Sequence, residues 1–467
     1  MLKQVELPDF GEPTVEPTLG RAIYKARVEE ARRRAHAAGF DAVVVYADRE
    51  HSANIAYLTG FEPRFEEAML ILARNATPVL VVGNEGWGYV DISPLELRRI
   101  LYQSFSLLAQ SRSESPELAD LLGSEGIDTG TRVGVVGWKY FVEGEGDDPE
   151  RRLEIPSYVA DTLRDVAGNP ALVTNAGSIF MNARDGLRVI NECDQLAAFE
   201  YAACHTSTAV KNVLFGLEPG MTEYDAVRLM QLKGMPLSCH LMLSSGPRAT
   251  MGLPSPSSRV IERGDRFTTA FGVWGALNCR AGFVVGDETE LPDNIRDYVS
   301  KLVAPYFRAI VSWYETIGLG ARGSELYQAV HEHIGDPFFG VSLNPGHQIH
   351  LDEWVNSPVF LDSDIELQSG MAFQVDVIPA TGTQYFTTNI EDGIALADEA
   401  LRLDFAAKYP EAWSRIERRR AFMMDEIGIR LKPEVLPFSN IPAYLPPFLL
   451  SPTRVMTAET SLGGNTR

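Results

Sequence analysis

Cysteine is scarce in this chain. Cys193, Cys204, Cys239 and Cys279 are scattered through 467 positions without a CxxC pair. No disulfide framework is read from that spacing, and reduced thiols in a cytoplasmic protein are expected. Basic charge is in deficit too: 42 Lys and Arg against 63 Asp and Glu give a net charge of -21. Nucleic acid and anionic membrane both demand a basic footprint, so neither is an expected partner. Long hydrophobic runs are missing, and no stretch reaches the roughly eighteen apolar residues of a spanning helix. Residues 1–17 lack a basic start followed by an apolar run, so no signal peptide is read there. What remains is ordinary globular composition, 45% hydrophobic and 22% charged, at a length implying two or three domains.

In the first part of the chain, helices and strands alternate. Residues 23–38 are rich in helix formers and stop at Gly39, a C-cap signal. Apolar runs at 41–46, 69–73, 78–82 and 132–136 read as buried strands, with a helix around 116–122. Residues 1–190 are therefore expected to form an α/β domain. A long helix should follow over 191–217, ending in the turn Gly220-Met221-Thr222-Glu223. The same helix, Gly-rich turn and helix recur around 318–325. Residues 191–430 read as an α+β domain with internal pseudo-symmetry. The Pro-rich apolar segment 431–467 is expected as an extended arm over that domain or a partner subunit, with 457–467 disordered.

The pseudo-symmetry is carried by two strand-turn-strand copies. The first is Gly264-Asp265-Arg266-Phe267-Thr268-Thr269-Ala270 with a second strand at 277–285; the other is Gly370-Met371-Ala372-Phe373-Gln374-Val375-Asp376 with a second strand at 385–396. The later copy carries Asp376 and Glu391, which strand alternation would aim at a shared cavity, where the earlier carries Ala270. That asymmetry suggests a metal-site scaffold with part of its ligand set gone. Other readings stay open: His347 as a hydrogen-bonded core imidazole satisfied by Asp376 or Glu391, and Glu391-Asp392-Gly393 as a plain turn. Cys239-His240 and Cys279-Arg280 are either thiol nucleophiles or ordinary buried positions.

The order of Asn344-Pro345-Gly346-His347-Gln348-Ile349-His350, the Asp376 strand and Asn389-Ile390-Glu391 resembles the pita-bread metallopeptidase family. That family includes methionine aminopeptidase, Xaa-Pro aminopeptidase, prolidase and the metal-free creatinase. The likeness covers residues 20–430, with Asn54-Ile55-Ala56-Tyr57-Leu58-Thr59-Gly60-Phe61 in a domain like the creatinase/prolidase N-terminal one. The resemblance implies His347, Asp376 and Glu391 as metal ligands, places the family's two Asp ligands on Ala270 and Ala281, and puts a further family His on Leu253. One imidazole and two carboxylates would hold at most one divalent ion (Mn, Zn or Fe), weakly. Catalysis would rest on His347, Asp376 and Glu391, with His350 or Arg280 steadying negative charge. Arg64, Glu353, Trp354 and Cys279 would contact substrate; Arg64 reads equally as a solvated loop residue. The implied function is hydrolysis of a C–N bond in a small peptide-like molecule by a cytoplasmic homodimer. The alternative is an inactive pseudo-peptidase that binds a ligand or partner.

Overall fold

The computed structural model describes residues 1–74 and 76–458. Most of the tail expected to be disordered, 459–467, lies outside them. Thr457 and Ala458 do not fit that expectation, since their amides donate to Met1 O (2.8 Å) and Ile427 O (2.8 Å). Among the described residues no helix is long and apolar enough to cross a membrane.

The chain divides into two compact units, Leu19–Val189 and a second built from Met1–Thr18 with the chain from Ile190 onward. The strands in chain order are β1 (Leu2–Gln4), β2 (Ala42–Ala47), β3 (Ala68–Ala73), β4 (Val79–Val82), β5 (Arg98–Leu101), β6 (Val133–Val136) and β7 (Val173–Asn175). Then come β8 (Met242–Ser245), β9 (Arg266–Val273), β10 (Ala276–Phe283), β11 (His347–Gln348), β12 (Ala372–Gln374), β13 (Asn389–Glu391), β14 (Gly393–Leu396), β15 (Val435–Pro437) and β16 (Arg454–Met456).

In the first unit the described residues form a mixed six-stranded sheet of order β5-β4-β3-β2-β6-β7. Every residue of β2 is buried, as expected for a central strand covered on both faces. Val44, Ile71 and Val135 share a core with Leu122 and Leu163 from the flanking helices.

The second unit begins earlier in the chain than composition suggested. β1 pairs with β16, Leu2 opposite Met456, so the first residues belong with the C-terminal ones. Two four-stranded sheets, β13-β10-β9-β8 and β11-β12-β14-β15, make its centre. The helix-turn-helix grammar is realised: Thr222 caps the helix Glu223–Leu229, accepting from Asp225 N (3.1 Å) while Asp225 Oδ2 accepts from Thr222 N (3.0 Å). Such a cap is worth about 1 kcal/mol. The second strand of the later copy is shorter than expected. Residues 385–388 stay outside it, and it breaks at Asp392, so β13 joins one sheet and β14 the other.

The C-terminal arm is interior. Ile441, Tyr444, Leu445 and Phe448 are fully buried within this unit. Leu449 N donates to Phe283 O (2.9 Å) and Phe283 N to Pro447 O (3.2 Å), seating the arm against β10.

Candidate active site

β11 carries His347 into the middle of the second unit, where it pairs with Gln374 of β12. The backbone there requires glycine. Gly346 has φ +105, and a Cβ would stand 3.1 Å from both Gln374 O and the Trp313 ring. His347 is wholly buried. Its Nδ1 lies 3.3 Å from Gln348 O, so an N–H on Nδ1 donates to that carbonyl and Nε2 faces the carboxylates. Nε2 stands 3.0 Å from Glu353 Oε1, 3.8 Å from Glu391 Oε1 and 3.9 Å from Asp376 Oδ2. Trp354 stacks on the imidazole, centroids 4.2 Å apart at 17°, covering one of its faces.

Glu391 arrives from β13, whose register sets Cys279 of β10 opposite it; Cys279 in turn faces Ala270 of β9, and Ala270 faces Met242 of β8. Four strands thus present Glu391, Cys279, Ala270 and Met242 in one row. Asn389 Nδ2 donates to Cys279 Sγ (3.0 Å). These residues, with Glu353, Trp354 and Asp376, line a cavity of 870 Å³.

The electrostatics are unusual. Burial disfavours a charged His347, but Glu353, then Glu391 and Asp376, outweigh it and hold the imidazole well above its ordinary range. Burial also raises Asp376, to about 6, and pushes Glu391 well above the usual carboxyl range, with Asp376 adding repulsion. Glu353 is lowered: burial works against ionisation there, and the His347 charge wins. Asp376 Oδ1, Glu391 Oε1 and Asn389 Oδ1 are buried without a hydrogen-bond donor. Cys279 is raised by burial and by Glu391, and Cys239 to about 12 by burial, Glu353 and Glu391, so neither is a thiolate near neutrality.

The structure gathers His347, Glu353, Trp354, Asp376, Glu391 and Cys279, and leaves out two residues of the same unit that the sequence placed with them. Arg280 is the first correction. Alternation along β10 sends it to the opposite face from Cys279, where Nη2 donates to Asp392 Oδ2 (2.8 Å) and Ile441 O (2.6 Å), and Nε to Tyr444 O (2.8 Å). It satisfies carbonyls of the Pro-rich arm and does not reach the cavity. His350 is the second: fully buried, it sets its ring edge-on to Phe199 (5.2 Å, 87°), outside the cavity lining. Arg64 lies in the first unit, left-handed at φ +60, paired with Glu62 (2.8 Å) and 5.2 Å from the Tyr89 ring centre. Among the lining residues that sequence reasoning missed are Asn389 and Arg266; β9 alternation puts residues 266, 268 and 270 on one face.

The register also shows which β10 positions face Ala270 and Glu391. β9 and β10 turn tightly through Trp274 and Gly275, so Cys279 lies opposite Ala270, while Ala281 lies opposite Thr268 and Asn389. Arg280→Met should destabilise the second unit by about 3–5 kcal/mol, because Asp392 is left buried without its counter-charge. Cation affinity in the cavity should be unchanged; urea denaturation and calorimetric titration check the two halves.

The two-domain fold defined by these sheets is that of the pita-bread peptidases with a creatinase/prolidase-type N-terminal domain. Residues 27–139 match the family model for the Creatinase/Prolidase N-terminal domain. Among solved structures the chain is similar to a dipeptidase PepE from Mycobacterium ulcerans, at 17% identity and a TM-score of 0.60, covering 83% of this chain and 95% of that one. It is similar to a prolidase from Pyrococcus horikoshii OT3 at 15% identity, TM-score 0.61, covering 80% and 95%. A prolidase from Thermococcus sibiricus gives 18% identity, TM-score 0.62, and the same two coverages. No curated protein matches the chain in sequence.

Proposed function

We propose that the second unit hydrolyses a C–N bond of a peptide-like molecule, working with at most one divalent cation. One observation supports this above the others: Asp376 Oδ1 and Glu391 Oε1 are buried beside His347 with no donor among the described residues. Buried carboxylates without partners are costly, and a cation or a proton answers the deficit. Ligand atoms of His347, Glu353 and Glu391 lie within 4.8 Å of one another, and one imidazole with two carboxylates is a facial set suited to one ion with open positions. Ala270 and Cys279 add no bridging carboxylate, so a second ion has too little to hold it. A bound divalent ion would supply Lewis acidity toward a carbonyl.

The chain's own groups have separate roles in this reading. Gln348 O orients the His347 ring through Nδ1. Trp354 shields the imidazole from water. Asp376, with Oδ2 3.9 Å from His347 Nε2, is the carboxylate placed to take or give a proton beside the imidazole. The expected cytoplasmic homodimer belongs to the same proposal, with sedimentation velocity as its check. Ala270 and Ala281, where the resemblance places the family's two Asp ligands, favour a second reading, a pseudo-peptidase that binds without turnover.

Incubating the full chain with Mn²⁺, Zn²⁺ or Fe²⁺ and a panel of Xaa-Pro peptides and guanidino compounds separates the two. Cleavage followed by mass spectrometry is expected with at least one ion, and should fall by at least about 100-fold in His347→Ala. Binding of one ion with no cleavage of any substrate would leave the pseudo-peptidase reading in place.

A further inference from the structure

The cavity is acidic at the His347 end and apolar elsewhere. Met242, Leu277, Ile378 and Phe386 form its walls, and Met251, Leu253 and Leu343 stand at its rim with 63%, 68% and 49% of their surface exposed. Such an apolar mouth on a protein of net charge -21 needs a reason. One guanidinium, that of Arg266, lines the same space. Its Nη2 reaches the carbonyls of Thr383 (3.5 Å) and Gln384 (3.4 Å) at the long limit of hydrogen bonding, and it lies 5.8 Å over the Phe386 ring. It forms no ion pair among the described residues, so most of its donor fork is free in a cavity with three carboxylates.

β9 supplies a ruler. Arg266 and Ala270 share a face four residues apart, which at about 3.3 Å per residue separates them by roughly 13 Å. Ala270 marks the level of Glu391 through Cys279. A dipeptide cut at the His347 cluster has one residue, about 3.5 Å, between the broken bond and its carboxylate. It does not span that Cα separation. About four extended residues span the gap.

From this the geometry points to a linear apolar peptide of about five residues as the ligand, its free C-terminal carboxylate held bidentately by Arg266 and its N-terminal peptide bond at the His347 cluster. This rests on the hydrolase reading for the bond placed there, but not for binding. A cavity of 870 Å³, near the upper end for small-molecule sites, suits a ligand of that length.

Calorimetric titration of the full chain with apolar peptides of two to six residues, with free or amidated C-termini, tests it. Affinity should rise at least about tenfold between two and five residues, and amidation should erase the gain. In Arg266→Gln the free and amidated peptides should bind alike; Arg266→Lys, which keeps charge without the fork, should lie between. The inference fails if dipeptides bind as tightly as the five-residue peptide, if amidation costs the same in Arg266→Gln, or if no peptide binds. The expected binding pattern without cleavage would remove the hydrolase reading and leave this one standing.

Discussion

Placing acids at Ala270 and Cys279 together is expected to raise the divalent-ion content of the protein from one to two per chain. The pair A270D/C279D restores carboxylates at directly opposed positions of β9 and β10, where Cα atoms in an antiparallel pair lie about 4.5–5.5 Å apart. That is close enough for both side chains to share a cation with Glu391, which Cys279 faces from the other side. The site would then offer one imidazole and five carboxylates around two ions, enough charge for a bridged pair. The alternative pair A270D/A281D should leave the content at one. Ala281 is displaced two residues along β10, about 6.6 Å, and faces Thr268 and Asn389. Metal analysis after dialysis against Mn²⁺ reads both variants. Two ions in A270D/A281D and one in A270D/C279D would reverse the register argument.

The two candidate positions for a second acid, Ala281 and Cys279, show what a linear pattern carries. Spacing taken from a resemblance places the second acid at Ala281, while the turn at Trp274 and Gly275 sets Cys279 opposite Ala270, two residues away on the same face. The misplacement of Arg280 was avoidable, since period-two alternation forbids it from sharing a face with Cys279. His347, Asp376 and Glu391 were legible because each sits at a strand with distinctive flanking residues. Glu353 and Trp354 were legible only as neighbours. That Glu353, not Asp376, comes closest to Nε2 depends on how the loop after β11 folds back, which no local propensity encodes. The arm around Tyr444 read as a surface strap because Pro-rich extended chain leaves carbonyls unpaired. Its burial needs the Arg280 guanidinium, 164 residues away in the chain, to take them.

A stability effect as large as that of Arg280→Met is expected at Glu200, which does not line the cavity. Glu200, on the helix Cys193–Gly216, is fully buried between two guanidiniums. Arg415 donates to it through Nε (2.9 Å) and Nη2 (2.7 Å), and Arg419 through Nη1 (2.7 Å). Burial alone would raise the Glu200 carboxyl, but Arg419 and then Arg415 outweigh it and hold it below the ordinary range. A depressed carboxyl contributes its full stabilisation above the unfolded value, about pH 4.3, and loses it as pH falls from there through the folded value. Glu200→Gln should therefore cost about 3–5 kcal/mol at pH 7, because two buried guanidiniums lose their counter-charge. The gap between wild type and variant should narrow steadily below about pH 5, since a protonated Glu200 and the variant's amide both present a neutral group to Arg415 and Arg419. Urea denaturation followed by tryptophan fluorescence from pH 7 to pH 3 measures that gap. A gap independent of pH would assign the loss to packing and leave the carboxylate's charge without a part in it.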